Sequence, residues 1–287
     1  MDYSSLWDAR IFADLFLGGI GVGAFLFLAF ALGDKGARAE KTFKIGGIAV
    51  FAFVAAGALC LLSELGKPLA FMNTIAGFNA TSVTSWGGPL QMLFLVSVAV
   101  LVALLFARGG RAAEGVAFKV VGAVGIVLAA FLLAYHGLVL NAAGRGLWAD
   151  ALIVPLFAVS SLLAGGAVAL LVDKLASKAA EDAAAFKALA GTSLALVVLL
   201  CAFGFTVAPA GADAVFCYQA VMADSAALWW IGACVVGALA PLAIAALALA
   251  KPAFRNIAPI AATAACALIG SFALKYLVAA AAQIVIG

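Results

Sequence analysis

Residues Trp7 to Leu32 read WDARIFADLFLGGIGVGAFLFLAFAL, an apolar run long enough to cross a bilayer as one helix. Arg10 and Asp14 lie within it near its start, after Asp8 at its edge, and four glycines (Gly18, Gly19, Gly21, Gly23) occupy its middle. An ionised carboxylate inside hydrocarbon costs about 3 kcal/mol or more, so Asp14 must be paired or must face a polar cavity. Arg10 stands one helical turn earlier on the same face, and an i,i+4 salt bridge to Asp14 is expected.

Seven further apolar runs follow, bounded by charge, Gly or Pro: Lys44 to Ser63, Pro89 to Ala107, Phe118 to Leu140, Leu147 to Val172, Phe186 to Val207, Ala226 to Ala250 and Ile257 to Ile286. Backbone groups at bilayer depth need internal hydrogen-bond partners, which helices supply. With 68% hydrophobic and 10% charged residues, the chain is an all-α membrane protein of eight transmembrane helices. Two four-helix bundles are expected, over 1–143 and 144–287, with the polar cluster in the first. The stretch LFAVSSLLAGGAVALLV (156–172) weakly repeats LFLGGIGVGAFLFLAFA (15–31); the small residues in both read mainly as helix-crossing positions.

Twelve of the sixteen Lys and Arg fall in the connections after the first, third, fifth and seventh runs: Lys35, Arg38, Lys41, Lys44, Arg108, Arg111, Lys119, Lys174, Lys178, Lys187, Lys251 and Arg255. Positive residues mark the cytoplasmic side, so both termini are expected outside, in the periplasm of a bacterial or archaeal cell. The first nine residues carry no Lys or Arg, so the first run is expected to be retained. The two longest connections, Glu64 to Trp86 and Ala208 to Ser225, then lie on the outer face. In the former, polar residues from Asn73 to Ser85 alternate with Phe71, Phe78 and Trp86, the composition of an interfacial, partly re-entrant loop.

Composition also excludes chemistry. The scattered basic residues form no stripe for nucleic acid. The five cysteines include no C-x-x-C pair and His136 is the only histidine, so the chain supplies neither an iron–sulfur cluster nor a bis-histidine haem nor a three-histidine metal site. On a helical rise of 1.5 Å per residue, Asp14 lies about 10 Å below Trp7, and Tyr135 and His136 lie at similar depth below Leu140. Glu64 closes the second run at the same face. If the first, second and fourth runs are neighbours, Asp14, Glu64, Tyr135 and His136 converge on one level. Lys275, inside the last run, is expected to pair with Asp213 or Asp224, and Lys67 and Arg145 to meet headgroups or a partner.

Several stretches resemble the polysulfide reductase/NrfD-type integral membrane anchors, relatives of the dimethyl sulfoxide reductase anchors. They are DLFLGGIGVGA (14–24), ELGKPLAFMNTIAGFNATSVTSWG (64–87), YHGLVL (135–140) and LWADALIVPLFAVSSLLAGGA (147–167). The resemblance implies an anchor that binds menaquinone or its quinol and carries neither haem nor cluster. It also implies a ferredoxin-like iron–sulfur subunit with several [4Fe-4S] clusters, docked outside, and beyond it a molybdopterin catalytic subunit. By motif, the family's quinone ligands fall on Asp14, where the family pattern has a histidine, and on Tyr135.

A quinol presents two hydroxyls and needs an acceptor for each across an apolar slot. Asp14 is the expected proton acceptor with Arg10 tuning it, Tyr135 or His136 holds the opposite oxygen, and Glu64 relays the proton outward. The rival reading is a secondary transporter, which would place its polar groups at midplane between repeats. A purely structural anchor without a quinone site is a second rival.

Overall fold

In the computed structural model, residues 9–31, 36–64, 77–177 and 183–281 are described. They form α1 (Ala9–Ala31), α2 (Gly36–Glu64), α3 (Val83–Arg108), α4 (Val116–Ala143), α5 (Ile153–Ser177), α6 (Ala183–Thr206), α7 (Ala212–Asp224), α8 (Leu228–Ala250) and α9 (Ile257–Ala281). All but α7 are long and apolar enough to span a membrane, which gives the eight spans expected and a multi-pass membrane protein. No strand occurs among the described residues.

Two helices form the middle of the molecule. In the most apolar windows of α1 and α5, 72% of residues are buried, against 17–44% in the other spans. They pack on each other through small residues. A β-carbon on Gly23 would strike the Ser161 backbone, and one on Gly165 would strike the α1 backbone at Ala24. Close backbone approach of this kind draws helices together where lipid removes the hydrophobic drive between them. Gly23 and Gly165 therefore serve the α1–α5 crossing, whereas Gly21 makes room for Val54 of α2.

Edge-to-face rings tie other helices to α1: Phe25 meets Phe94 of α3 at 5.1 Å between centroids, and Phe16 meets Phe272 of α9 at 5.4 Å.

Three boundaries differ from the sequence reading. Helix α3 begins at Val83, six residues before Pro89, so Thr84, Ser85 and Trp86 are helical rather than part of a loop. Proline lacks only its own N–H, and one turn or so from a helix start that omission leaves a single carbonyl, that of Ser85, without its donor. Before the helix, Asn79 Oδ1 accepts from the Thr81 amide at 3.0 Å and Trp86 Nε1 donates to Ala80 O at 3.1 Å, folding the tip back on itself. Residues 65–76, including Lys67, Phe71 and Asn73, lie outside the described residues.

Helix α5 begins at Ile153, not Leu147. Asp150 Oδ1 accepts from the Leu152 amide at 2.7 Å, and the residues before it, Gly146–Ala149, form a 3-10 turn. Trp148 is buried there and its Nε1 donates to Val278 O of α9 at 3.0 Å.

The connection from 208 to 225 holds α7, a 13-residue helix that does not span. Its buried Cys217 faces this turn, and Tyr218 joins Phe203 and Trp229 in an aromatic cluster with centroids 5.7–6.4 Å apart. The first twelve residues of α8, Leu228–Leu239, are a π-helix that gives way to α-helix at Ala240, just before Pro241 and close to the contact between Gly237 and Gly270 of α9.

Candidate functional site

Helical spacing turns the polar residues inward. On α1, Asp14, Gly18, Gly21 and Phe25 follow one another at intervals of four and three, and all are buried. On α4, buried Gly125, Ala129, Leu132 and His136 follow the same rhythm. Such intervals keep side chains on one helix face, so each polar residue continues an apolar stripe into the core. Asp14 is 6% exposed and His136 3% exposed, while Tyr135, next along α4, is half-buried.

The two helices meet where Gly18 has no side chain. The point at which its β-carbon would sit lies 3.5 Å from both Cε1 and Nε2 of His136 and 3.6 Å from Asp14 Oδ1. Across from it, a β-carbon on Gly57 of α2 would lie 2.8 Å from the same carboxylate oxygen. Gln91 of α3 donates from Nε2 to Asp14 Oδ1 at 3.0 Å. The Tyr135 hydroxyl lies against Gly87 and donates to the Thr84 carbonyl at 3.4 Å, so the first turns of α3 form its wall. His136 Nδ1 is buried without a hydrogen-bond partner among the described residues.

Asp14, Tyr135 and His136 are thus brought together. Arg10 sits at the exposed end of α1, and its Nη1 donates to Ser63 O of α2 at 2.8 Å, while the carboxylate of Asp14 is held from α3. Glu64 ends α2 seven residues, about 10 Å, beyond the Gly57 that faces Asp14, so it lies next to Ser63 at the level of Arg10 and not at that of Asp14, and its side chain lies outside what is described.

Two residues, Gln91 and Ser161, carry no assignment in the sequence, and a third, Lys275, meets partners other than those expected. Gln91 and Ser161 are neutral and polar, types that occur in spans without consequence, and only the adjacency of α3 and α5 to α1 gives them a role. Lys275 does not turn to Asp213 or Asp224 for its hydrogen bonds. Its Nζ donates to Leu15 O at 2.8 Å and to Ser161 Oγ at 2.7 Å, it lies 5.8 Å from the Phe157 ring centroid, and the carboxylate within its electrostatic reach is Asp14. The physical reason is the packing of α9 on α1, which brings residue 275 to the start of the chain.

At 1.5 Å per residue, Asp14, Gln91, His136, Ser161 and Lys275 all lie roughly 8–12 Å from the helix ends on one side of the bundle. Among the described residues, no three of His, Cys, Asp or Glu are gathered as a metal would require. An apolar groove of about 410 Å³ runs between α1, α2, α8 and α9, lined by Phe16, Ile20, Phe53 and Phe272 among others. At about 100° per residue, Phe16 and Ile20 lie on the far side of α1 from Asp14 and Gly18, so the groove is separate from the polar cluster.

Fold and site together define a multi-pass membrane protein with a buried acid, imidazole, phenol and ammonium at one level near one membrane face. A family model described as polysulphide reductase, NrfD, matches residues 1–287, the whole chain. The chain belongs to the NrfD family, and as a member it is a membrane subunit of the polysulphide reductase type, a family that works in complexes with redox subunits. A comparison with curated proteins found no match.

Proposed function

We propose that this chain is the quinol- and quinone-binding membrane anchor of a respiratory molybdopterin oxidoreductase. It passes electrons between menaquinol and an iron–sulfur subunit docked on the periplasmic face of the cytoplasmic membrane. Membership in the family supports the class of complex. The observation that carries the quinone site is the meeting of the Asp14 carboxylate and the His136 imidazole around the empty space of Gly18, with the Tyr135 hydroxyl beside them.

The donor set fits such a group. A quinone headgroup is flat and apolar and offers an oxygen at each end, and the cluster offers hydrogen-bonding groups from two helices among glycines and rings. The buried Nδ1 of His136 is an unspent hydrogen-bonding atom of the kind a bound polar group satisfies. When bound, a quinol supplies two electrons and two protons to the reaction.

The chain's residues would then divide the work. Gln91 fixes the carboxylate of Asp14, which accepts a proton at Oδ1 or Oδ2. Tyr135 and His136 orient the opposite oxygen from α4, and the imidazole of His136 accepts the second proton. Arg10, at the outer end of α1, and Glu64, at the end of α2, mark the route by which the proton leaves. The electrons go to the docked iron–sulfur subunit. Electrons and protons leaving on one face separate no charge across the membrane.

A transporter gains less support, because these polar groups gather toward one end of the bundle and not at midplane. Replacing Asp14→Asn and Tyr135→Phe in the assembled complex and assaying quinol oxidation tests the proposal. Each variant is expected to lose roughly a hundredfold in turnover, the scale of a lost general acid–base group. Near-wild-type turnover in both would overturn it.

A further inference from the structure

Lys275 is 2% exposed, inside a membrane span, and the site as argued so far gives it no task. Its seat is built. Ser161 Oγ passes its own hydrogen to Phe157 O at 2.7 Å and so turns a lone pair toward Nζ, while the Leu15 carbonyl takes a second proton of the ammonium. A β-carbon on Gly19 would lie 2.5 Å from both Nζ and Ser161 Oγ, so only glycine at that position leaves room for the cation. The seat therefore draws on α1, α5 and α9 together.

A buried ammonium is costly to keep unless a negative group shares its surroundings. The carbonyl that holds Lys275 belongs to the residue following Asp14, and the two side chains leave α1 about 100° apart. Asp14 in turn faces Gln91, His136 and Gly57, and none of these brings a full positive charge.

We infer that Lys275 is a positioning residue for the chemistry of Asp14: held by Gly19, Ser161 and Leu15, it is the countercharge that sets how the carboxylate exchanges its proton with quinol. The inference rests on the quinol reading. It gives a reason for a lysine so deep in the protein, and it makes α9 a working wall of the site. The net charge of the pair rises from zero to plus one when Asp14 takes a proton and returns to zero when the proton leaves, while the Leu15 carbonyl and Ser161 Oγ hold the cation throughout.

The test is a double-mutant cycle in the assembled complex, reading quinol oxidation in D14N, K275M and D14N/K275M, with K275R as the conservative variant. K275M is expected to lose roughly tenfold or more, K275R to recover most of that, and the double variant to be no worse than D14N alone, since coupled residues are not additive. A second reading does not depend on turnover. The redox-induced infrared band of the Asp14 carboxyl, assigned by its disappearance in D14N, is expected to move in K275M and to return toward its original position in K275R.

Removing the cation from beside a buried acid can block assembly. In that event the comparison of K275M with D14N/K275M decides, because the double variant carries no unpaired charge: assembly restored there supports the pairing, and assembly still lost there overturns it. Additive losses, with an Asp14 band unmoved in K275M, would overturn the inference while leaving the quinol site in place. Wild-type turnover in D14N would overturn the quinol site itself.

Discussion

Gln91 of α3 and Asp14 of α1 are joined by a hydrogen bond of 3.0 Å between two side chains that are each more than nine-tenths buried. The same Oδ1 lies beside the Gly18 and Gly57 positions, so the bond ties the carboxylate to the point where α1, α2 and α3 meet next to His136. Replacing Gln91→Leu deletes the donor and strands a buried acceptor, at a cost of about 1–3 kcal/mol. We expect a lower midpoint of thermal unfolding in detergent and weaker binding of a quinone analogue. Gln91→Glu, which sets two acids side by side, should be worse than Leu for assembly.

Two glycines on α1 should respond in opposite ways to the same added methyl group. At Gly18 a β-carbon meets its neighbours at 3.5–3.6 Å, ordinary van der Waals contact, so Gly18→Ala should fold with near-native stability. It fills the space between Asp14 and His136, and quinone-analogue affinity should fall roughly tenfold, the cost of one misplaced contact at about 1.4 kcal/mol. At Gly23 the same carbon runs into the backbone of Ser161. Gly23→Ala should lose about 1–3 kcal/mol or more of stability through the α1–α5 crossing, read as reduced yield and a lower unfolding temperature.

Cys217 tests the packing of α7. Burial pushes its thiol above the ordinary value, and alkylation requires the thiolate, so the fraction able to react at any given pH is smaller than for a free cysteine. A maleimide should leave Cys217 unmodified at neutral pH in the intact protein and react as pH rises or once the protein is unfolded, read by mass spectrometry of the peptide. Prompt modification at neutral pH would mean that α7 is not held against the turn at Gly146–Ala149.

Much of this arrangement was legible in the sequence because ionisable residues stand out in apolar runs. Asp14, Tyr135 and His136 were visible as a set once depth below the helix ends was counted, and the fold brings all three together. Gln91 and Ser161 were not, since a neutral amide or hydroxyl in a span gains meaning only from the helix opposite. Lys275 stands out too, but the acids the sequence offers it, Asp213 and Asp224, are not its hydrogen-bond partners: the packing of α9 on α1 joins it to a residue 260 positions away. Proline at 89 drew the start of α3 too late, and α7 lay hidden in a connection read as loop because thirteen residues are too few to span.

The basic connections predict sidedness, which can be read independently. Cysteines placed at Ala210, before α7, and at Ala253, between α8 and α9, should label from opposite faces with a membrane-impermeant reagent, the former from the periplasm. Labelling of both from one side would contradict the eight-span topology.

The most direct measurement is photolabelling of the assembled complex in membranes with a photoreactive quinone analogue, followed by peptide mapping. The label is expected in α1 around Asp14–Gly18 and in α4 around Tyr135–His136, and it should be suppressed by excess quinone and lost in D14N. Label confined to other helices, or labelling of these two that excess quinone leaves unchanged, would contradict a quinone site between Asp14 and His136.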